Sequence, residues 1–248
     1  MEVLIIPDSF KGSLSAVEVA NIMMETVQTI FPKSNCHSMP FSDGGEGALH
    51  VLDSNTKGTL EECLSYDALQ RPINAPFFRF ENQKSAWIEL SQTAGITQLK
   101  KSELKPPNTS TWGTGKMIEH VLNRGCTKIY LGLGGSGTQD LGTGIITALG
   151  GRFLDHDGNE LPHGGGQLYR LDKIELTNLN PKALLCQWII ACDVQNPLTG
   201  KEGTAHTYAK QKGASTQEIE QLEKGGKRFI EVVKKQFGID LKTLEGGG

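Results

Sequence analysis

Cysteine is sparse in this chain, and none of it is spaced for a metal. Cys36, Cys63, Cys126, Cys186 and Cys192 are odd in number and include no C-x-x-C pair. That argues against a disulfide framework or a zinc site and fits a reducing compartment, with most of the thiols serving as core packing. Long hydrophobic runs are missing too. The longest central one, residues 188–192, is far shorter than the roughly 20 apolar residues that cross a bilayer. Met1-Glu2-Val3 lacks the basic region and apolar stretch of a signal peptide. A soluble, cytoplasmic chain with no membrane partner is expected. No sign of charge dominates: 25 Lys and Arg against 28 Asp and Glu leave a net charge of -3, with neither a basic excess for nucleic acid nor an acidic tail. The six histidines, at 37, 50, 120, 156, 163 and 206, show no H-x-x-x-H spacing. There is no G-x-S-x-G elbow. Gly113-Thr114-Gly115-Lys116 lacks the glycine spacing of a Walker A loop.

Glycine, by contrast, is abundant, at 30 of 248 residues, and it sits between well-patterned elements where backbone must approach a ligand closely. Val3 to Ile6 reads as a buried strand. Ser15-x-x-Glu18 is a capping box that opens a helix through Val17, Ala20, Met24, Val27 and Phe31, stopped by Pro32. A short helix is expected from Ala48 to Asp53. Residues 77–80 and 85–90 read as paired strands. Met117, Ile118, Val121 and Leu122 share one helix face, with Gly125 as the stop. Residues 128–131, 152–154 and 188–192 read as strands, with a helix ending over 145–149. A second capping box, Ser215-x-x-Glu218, begins a last helix lined by Ile219, Leu222, Phe229, Val233 and Phe237, which Gly225-Gly226 is expected to interrupt. Alternating strands and helices predict an α/β fold with parallel strands, and a domain boundary is placed near residues 75–82.

Four loops carry the chemistry: 7–15, 42–47, 132–140 and 193–203. Each lies near a strand end or helix start and mixes Gly with Asp, Ser, Thr or Lys, a setting for an anionic, oxygen-rich ligand. Lys11, beside Asp8, Ser9 and Ser13, suits neutralisation of a transferring phosphoryl group. Asp43 and Glu46 suit a cation or substrate hydroxyls, or else turn formation and N-capping. Asp193, at a strand end, suits magnesium binding or service as a base, with Asn196 fixing it or simply forming a turn with Pro197. Gly132, Gly134 and Gly137 also match G-x-G-x-x-G, with Asp155 eighteen residues beyond Gly137. That pattern supports an alternative reading as an NAD-dependent oxidoreductase.

Four motifs in order bear on one family: Pro7-Asp8-Ser9-Phe10-Lys11-Gly12-Ser13, Asp43-Gly44-Gly45-Glu46-Gly47, Gly134-Gly135-Ser136 and Cys192-Asp193-Val194-x-Asn196-Pro197-Leu198-x-Gly200. Gln211-Lys212-Gly213-Ala214 agrees as well. Across essentially its whole length the chain resembles the bacterial glycerate kinases of the first type. The resemblance implies two α/β domains with a cleft between them, one Rossmann-like and discontinuous, the other inserted into it. On that basis residues 1–78 are the first part of the Rossmann-like domain, 79–240 the inserted domain and 241–248 the start of the return. It also implies ATP-dependent, magnesium-requiring phosphorylation of D-glycerate, with 2-phosphoglycerate the expected product and a homo-oligomer left open. Carried onto this sequence, Asp8, Lys11 and Asp193 are catalytic, Asp193 also binding the metal. Ser9, Asp43, Glu46 and Asn196 bind substrate, and Gly134, Gly135, Ser136 and Asp140 bind the nucleotide. Two departures stand out. Gly137-Thr138-Gln139-Asp140 replaces the usual Ala-Thr-Asn-Asp, and family members continue beyond residue 248. The chain is therefore expected to be the N-terminal two-thirds of such an enzyme, inactive or a non-catalytic ligand-binding fragment on its own, with an exposed sheet edge or apolar face.

Overall fold

The computed structural model describes residues 1–10, 13–42, 47–243 and 246. It is an α/β protein built around a mixed five-stranded sheet. An opening segment comprises β1 (Glu2–Ile5), α1 (Ala16–Ile30), β2 (Asn35–Ser38) and α2 (Ala48–Asn55), with β1 and β2 paired in parallel. The expected capping box is present: Ser15 Oγ accepts from Glu18 N at 3.2 Å and Glu18 Oε2 accepts from Ser15 N at 2.8 Å. Large side chains of this segment stay exposed, Leu4, Ile6, Met39 and Phe41 among them.

The chain then enters the sheet. β3 (Gly58–Tyr66), β4 (Pro72–Phe80) and β5 (Ser85–Glu89) form an antiparallel meander. After α3 (Ser91–Ala94) and α4 (Trp112–Asn123), β6 (Lys128–Gly132) adds in parallel to β5. An excursion follows: α5 (Thr143–Ala148), β7 (Arg152–Leu154), β8 (Lys173–Glu175) and α6 (Pro181–Leu185). Then β9 (Gln187–Ala191) adds in parallel to β6, giving the order β3-β4-β5-β6-β9. The chain continues through α7 (Thr204–Tyr208) and α8 (Thr216–Phe237) to a 3-10 turn at Leu241–Thr243. No helix among the described residues is long and apolar enough to cross a membrane.

The main core lies on one face of the sheet. Met117, Ile118, Val121 and Leu122 of α4, all essentially inaccessible, pack on Phe77, Ala86, Ile88, Ile129 and Leu131. The i, i+1, i+4, i+5 spacing turns one helix stripe toward strands whose inward residues recur every second position. α4 can approach because Gly113 lacks a side chain: a Cβ there would lie 1.8 Å from the Tyr66 carbonyl oxygen. Gly113→Ala is therefore expected to cost about 1–3 kcal/mol through overpacking, read from the midpoint of urea unfolding; an unshifted midpoint would show that α4 can slide to relieve the contact.

Two expectations need correction. The last helix is continuous through Gly225-Gly226. These glycines admit neighbours rather than break the helix: a Cβ on Gly225 would meet Leu168 Cβ at 3.1 Å, and one on Gly226 would meet Thr199 Cγ2 at 2.9 Å. The buried stripe also differs. Leu222 and Val233 are buried as expected, but Phe237 is exposed, and Ile230 and Val232 are buried instead, Val232 and Val233 packing on Phe153 and Ile174 of the β7–β8 ribbon.

Candidate functional site

The parallel strands end in register, with Glu89, Gly132 and Ala191 side by side. Their following loops form the floor of a cleft of about 1120 Å³. Asp8 to Phe10, Ser13 to Ser15 and Gly47 of the opening segment line one side; Tyr208, Gln211 and Lys212 line another. The opening segment is tied to the sheet through Glu89, which is 1 % exposed. Its Oε1 accepts from Leu49 N in the first turn of α2 at 2.6 Å, and its Oε2 accepts from Gln92 Nε2 at 2.9 Å. A carboxylate at a helix N-terminus satisfies free N–H groups and complements the dipole.

The loop after β6 turns sharply at Gly134–Gly135, where Gly135 has φ +73°. Two of its backbone groups pair with residues 94–96: Gly135 O accepts from Ile96 N at 2.9 Å, and Gly137 N donates to Ala94 O at 2.7 Å. The N–H groups of Gly134, Gly135 and Ser136 have no acceptor among the described residues. Successive free N–H groups around a left-handed residue form an anion-binding concavity. Lys212 adds a cation beside them. Its Nζ donates to Ser136 Oγ and Thr138 O, both at 2.8 Å. Burial pushes this ammonium down to about 8, and the charge of Asp140 only partly opposes the shift.

Asp193 is exposed at the cleft end of β9 and has no hydrogen-bond or ion-pair partner among the described residues. Nearby, Tyr208 OH donates to Asn196 Oδ1 at 2.6 Å. The phenol is raised above its ordinary range by burial first and by Asp193 and Cys192 second, so it stays protonated at neutral pH. Asp8 is exposed in the cleft and accepts from Ser9 N at 2.6 Å. Its other oxygen has no partner among the described residues.

The comparisons with known proteins settle the family. The model of the Glycerate kinase family matches residues 3–248. The chain belongs to the glycerate kinase family. It is 37 % identical over 248 residues to glycerate 2-kinase of Escherichia coli (strain K12), covering all of this chain and 65 % of that protein. It is 36 % identical to the glycerate kinase of Bacillus subtilis (strain 168), with the same coverage. A crystal structure of a protein assigned as glycerate kinase 2 in Salmonella typhimurium LT2 superposes with a TM-score of 0.89 at 36 % identity, covering 100 % of this chain and 66 % of that one. The chain thus spans just under two-thirds of the length of these relatives.

In the structure, the site residues expected from sequence divide into three groups. Asp8, Ser9, Gly134, Gly135, Ser136 and Asp193 line one cleft. Lys11, Asp43 and Glu46 lie outside the described residues. Asp140 and Asn196 sit differently from expectation. Asp140 borders the cleft, but its Oδ2 accepts from Thr111 N (2.7 Å), Thr111 Oγ1 (2.9 Å), Ser110 Oγ (3.2 Å) and Gly144 N (3.2 Å). It organises two loops, and these donors leave little acceptor capacity on that oxygen for a nucleotide-bound ligand. It precedes a strained turn, Leu141 at φ +54° and Gly142 at φ +72°. Asn196 does not line the cleft; its Nδ2 donates to Glu202 O at 2.8 Å while its Oδ1 holds Tyr208. The carboxamide ties the loop at Glu202 to Tyr208.

The dinucleotide reading is overturned. Five residues of loop separate Gly137 from the next helix, which starts only at Thr143. β7 pairs with β8 in its own ribbon, not beside β6. Asp155 is 3 % exposed, holds the N–H groups of Asp157 and Asn159, and pairs with Arg170 at 2.6 Å. Asp155 does not line the cleft, so it is not placed for a ribose there.

Sequence reasoning gave Lys212, Tyr208 and Glu89 no role in the site. The signal for Lys212 was the Gln211-Lys212-Gly213-Ala214 match, followed directly by the Ser215 cap. The change to Gln139 also gains a meaning: its Oε1 accepts from Thr204 Oγ1 at 3.0 Å and its Nε2 donates to Thr204 O at 3.2 Å. The longer amide ties the 132–140 loop to α7.

Proposed function

We propose that this chain carries the nucleotide-binding and much of the glycerate-binding wall of an ATP-dependent D-glycerate kinase. The observation that carries the reading is the run of three unpaired N–H groups at Gly134–Ser136, with the Lys212 ammonium beside it, at the carboxyl end of a parallel strand. Open α/β sheets bind ligands at that position. The cleft has room for a nucleotide together with a small hydroxy acid. Phosphoryl transfer demands little covalent chemistry from the protein and much positioning and charge neutralisation, which backbone donors and a buried cation supply.

In this reading the 134–136 N–H groups hold ATP phosphates. Asp193 fits magnesium, since its carboxylate has no donor among the described residues and magnesium takes one or two carboxylates and keeps several waters; the ion would neutralise phosphate charge there. Asp8 accepts a glycerate hydroxyl and serves as its base, with Ser9 beside it. Lys11, Asp43 and Glu46 complete the substrate side. Tyr208, kept protonated and held by Asn196, lines the cleft together with Asp193. The product is 2-phosphoglycerate, and the reaction takes place in the cytoplasm.

We also propose that the opening segment is the first part of a Rossmann-like domain and that the five-stranded body is inserted into it. The division is placed before Gly58, because a break at 78/79 would cut β4, which pairs along both edges.

The test is ADP release with D-glycerate by the full natural chain, with phosphorus NMR of the product. Turnover giving 2-phosphoglycerate is expected. Turnover with another hydroxy acid but none with D-glycerate would overturn the substrate. Competition titration should show ATP displacing a fluorescent nucleotide while NADH does not.

A further inference from the structure

We propose that Lys212 is a phosphate ligand of this site, its ammonium contacting a phosphoryl oxygen of the nucleotide seated on Gly134–Ser136. This rests on the nucleotide reading above and adds a residue and a pH dependence to it. Lys212 lies in the turn between α7 and α8, 6 % exposed, and borders the same cleft as the three free N–H groups.

Two partners hold its ammonium, Ser136 Oγ and Thr138 O, both neutral. An ammonium has three donors, so one has no acceptor among the described residues. No carboxylate lies within ion-pair distance of it among those residues. Burying a charge in this way is costly unless it is paired. A residue needed only to staple the 134–138 loop to the α7–α8 turn could do so with an amide or hydroxyl, without a buried charge. The pairing is completed by an anion in the cleft, where Ser136 brings its own hydroxyl and N–H to the same point.

The other charged groups around the turn do not supply that anion. Asp140 acts on Lys212 at a distance, with its carboxylate taken up by Ser110, Thr111, Gly142 and Gly144. Glu218, at the start of α8, caps Ser215. Asp8 and Asp193 border the cleft, and neither is among the groups that shift Lys212. His206 lies on α7 and is exposed; Tyr208 donates to Asn196.

The geometry has a titration consequence. The free ammonium releases its proton near pH 8. A bound phosphate favours the charged form and raises that value. Binding above pH 8 must therefore take up a proton, and affinity falls as pH rises through this range.

The experiment is ATP binding by calorimetry on the full natural chain from pH 7 to 9.5, for wild type, K212M and K212R, with adenosine binding as a control for an intact base site. For wild type, ATP affinity is expected to weaken about tenfold, the equivalent of one pKa unit, as pH rises from about 8. K212M should bind ATP about tenfold more weakly at pH 7 and show no pH step. K212R, charged throughout the range, should keep most of the affinity and also lose the step. Adenosine affinity should be the same in all three. A wild-type pH step that persists in K212R, or in a folded K212M, would overturn the assignment and leave Lys212 a staple between loops. No ATP binding by the wild-type protein at any pH would overturn the nucleotide reading itself.

Discussion

Asp193→Asn is expected to lower kcat with D-glycerate by about 10²–10⁴-fold, the range typical for loss of a general base or a comparable charged group at the reacting centre. The change removes charge and keeps shape. Asp193 makes no hydrogen bond or ion pair with the described protein and is exposed, so stability should change by no more than about 0.5 kcal/mol, as for most surface substitutions. That combination identifies a group kept for a ligand. If magnesium is what it holds, the variant should also lose the dependence of ATP affinity on magnesium concentration. Retained kcat would remove Asp193 from the chemistry and leave Asp8 as the described carboxylate to examine.

Asp140→Ala should show the reverse profile, a large loss of stability. Its carboxylate is 1 % exposed and ties Ser110 and Thr111, at the start of α4, to Gly142 and Gly144, at the start of α5. Alanine would orphan several buried donors at once. Hydrogen bonds to a charged group contribute about 1.5–3 kcal/mol each, and unsatisfied buried donors cost about 1–3 kcal/mol. Partial rescue by water reduces their sum, leaving about 3–5 kcal/mol, read as a lowered urea midpoint with an unchanged m-value. Asp140→Asn should fall between, because it keeps acceptor oxygen but turns an NH₂ toward N–H donors. A loss below about 1 kcal/mol for the alanine variant would mean that the two loops find other partners.

The contrast between these two aspartates shows what the sequence could and could not convey. Both follow strands in glycine-bearing loops, and from sequence both looked like ligand groups. What separates them is the company the fold brings: Asp140 meets Thr111 across 29 positions of chain, while Asp193 meets no donor among the described residues. Local physics was legible. Both capping boxes, the α4 stripe and the strands starting at Lys128 and Arg152 follow from spacing and side-chain chemistry within one element. Long-range partners were not. Lys212 and Ser136 lie 76 positions apart, and nothing near Lys212 marks it as buried. Gly225-Gly226 misled for the same reason, since its purpose lies in Leu168 and Thr199 rather than in the helix itself. The G-x-G-x-x-G match failed because the placement of β7 outside the sheet is a property of topology, not of local pattern.

The alignment of Glu89, Gly132 and Ala191 across three adjacent parallel strands also bears on how such a site can vary. Neighbouring strands sit about 4.8 Å apart because their hydrogen bonds fix that distance. Gln92, Gly134 and Asp193 therefore start from a ruled backbone whose intervals no side chain sets. The long excursion between β6 and β9 returns to the same ruling however long it becomes. The ribbon of β7 and β8 can be lengthened, shortened or redecorated while the spacing between the 134–136 loop and the strand-end carboxylate is preserved, provided that the register of those three residues holds.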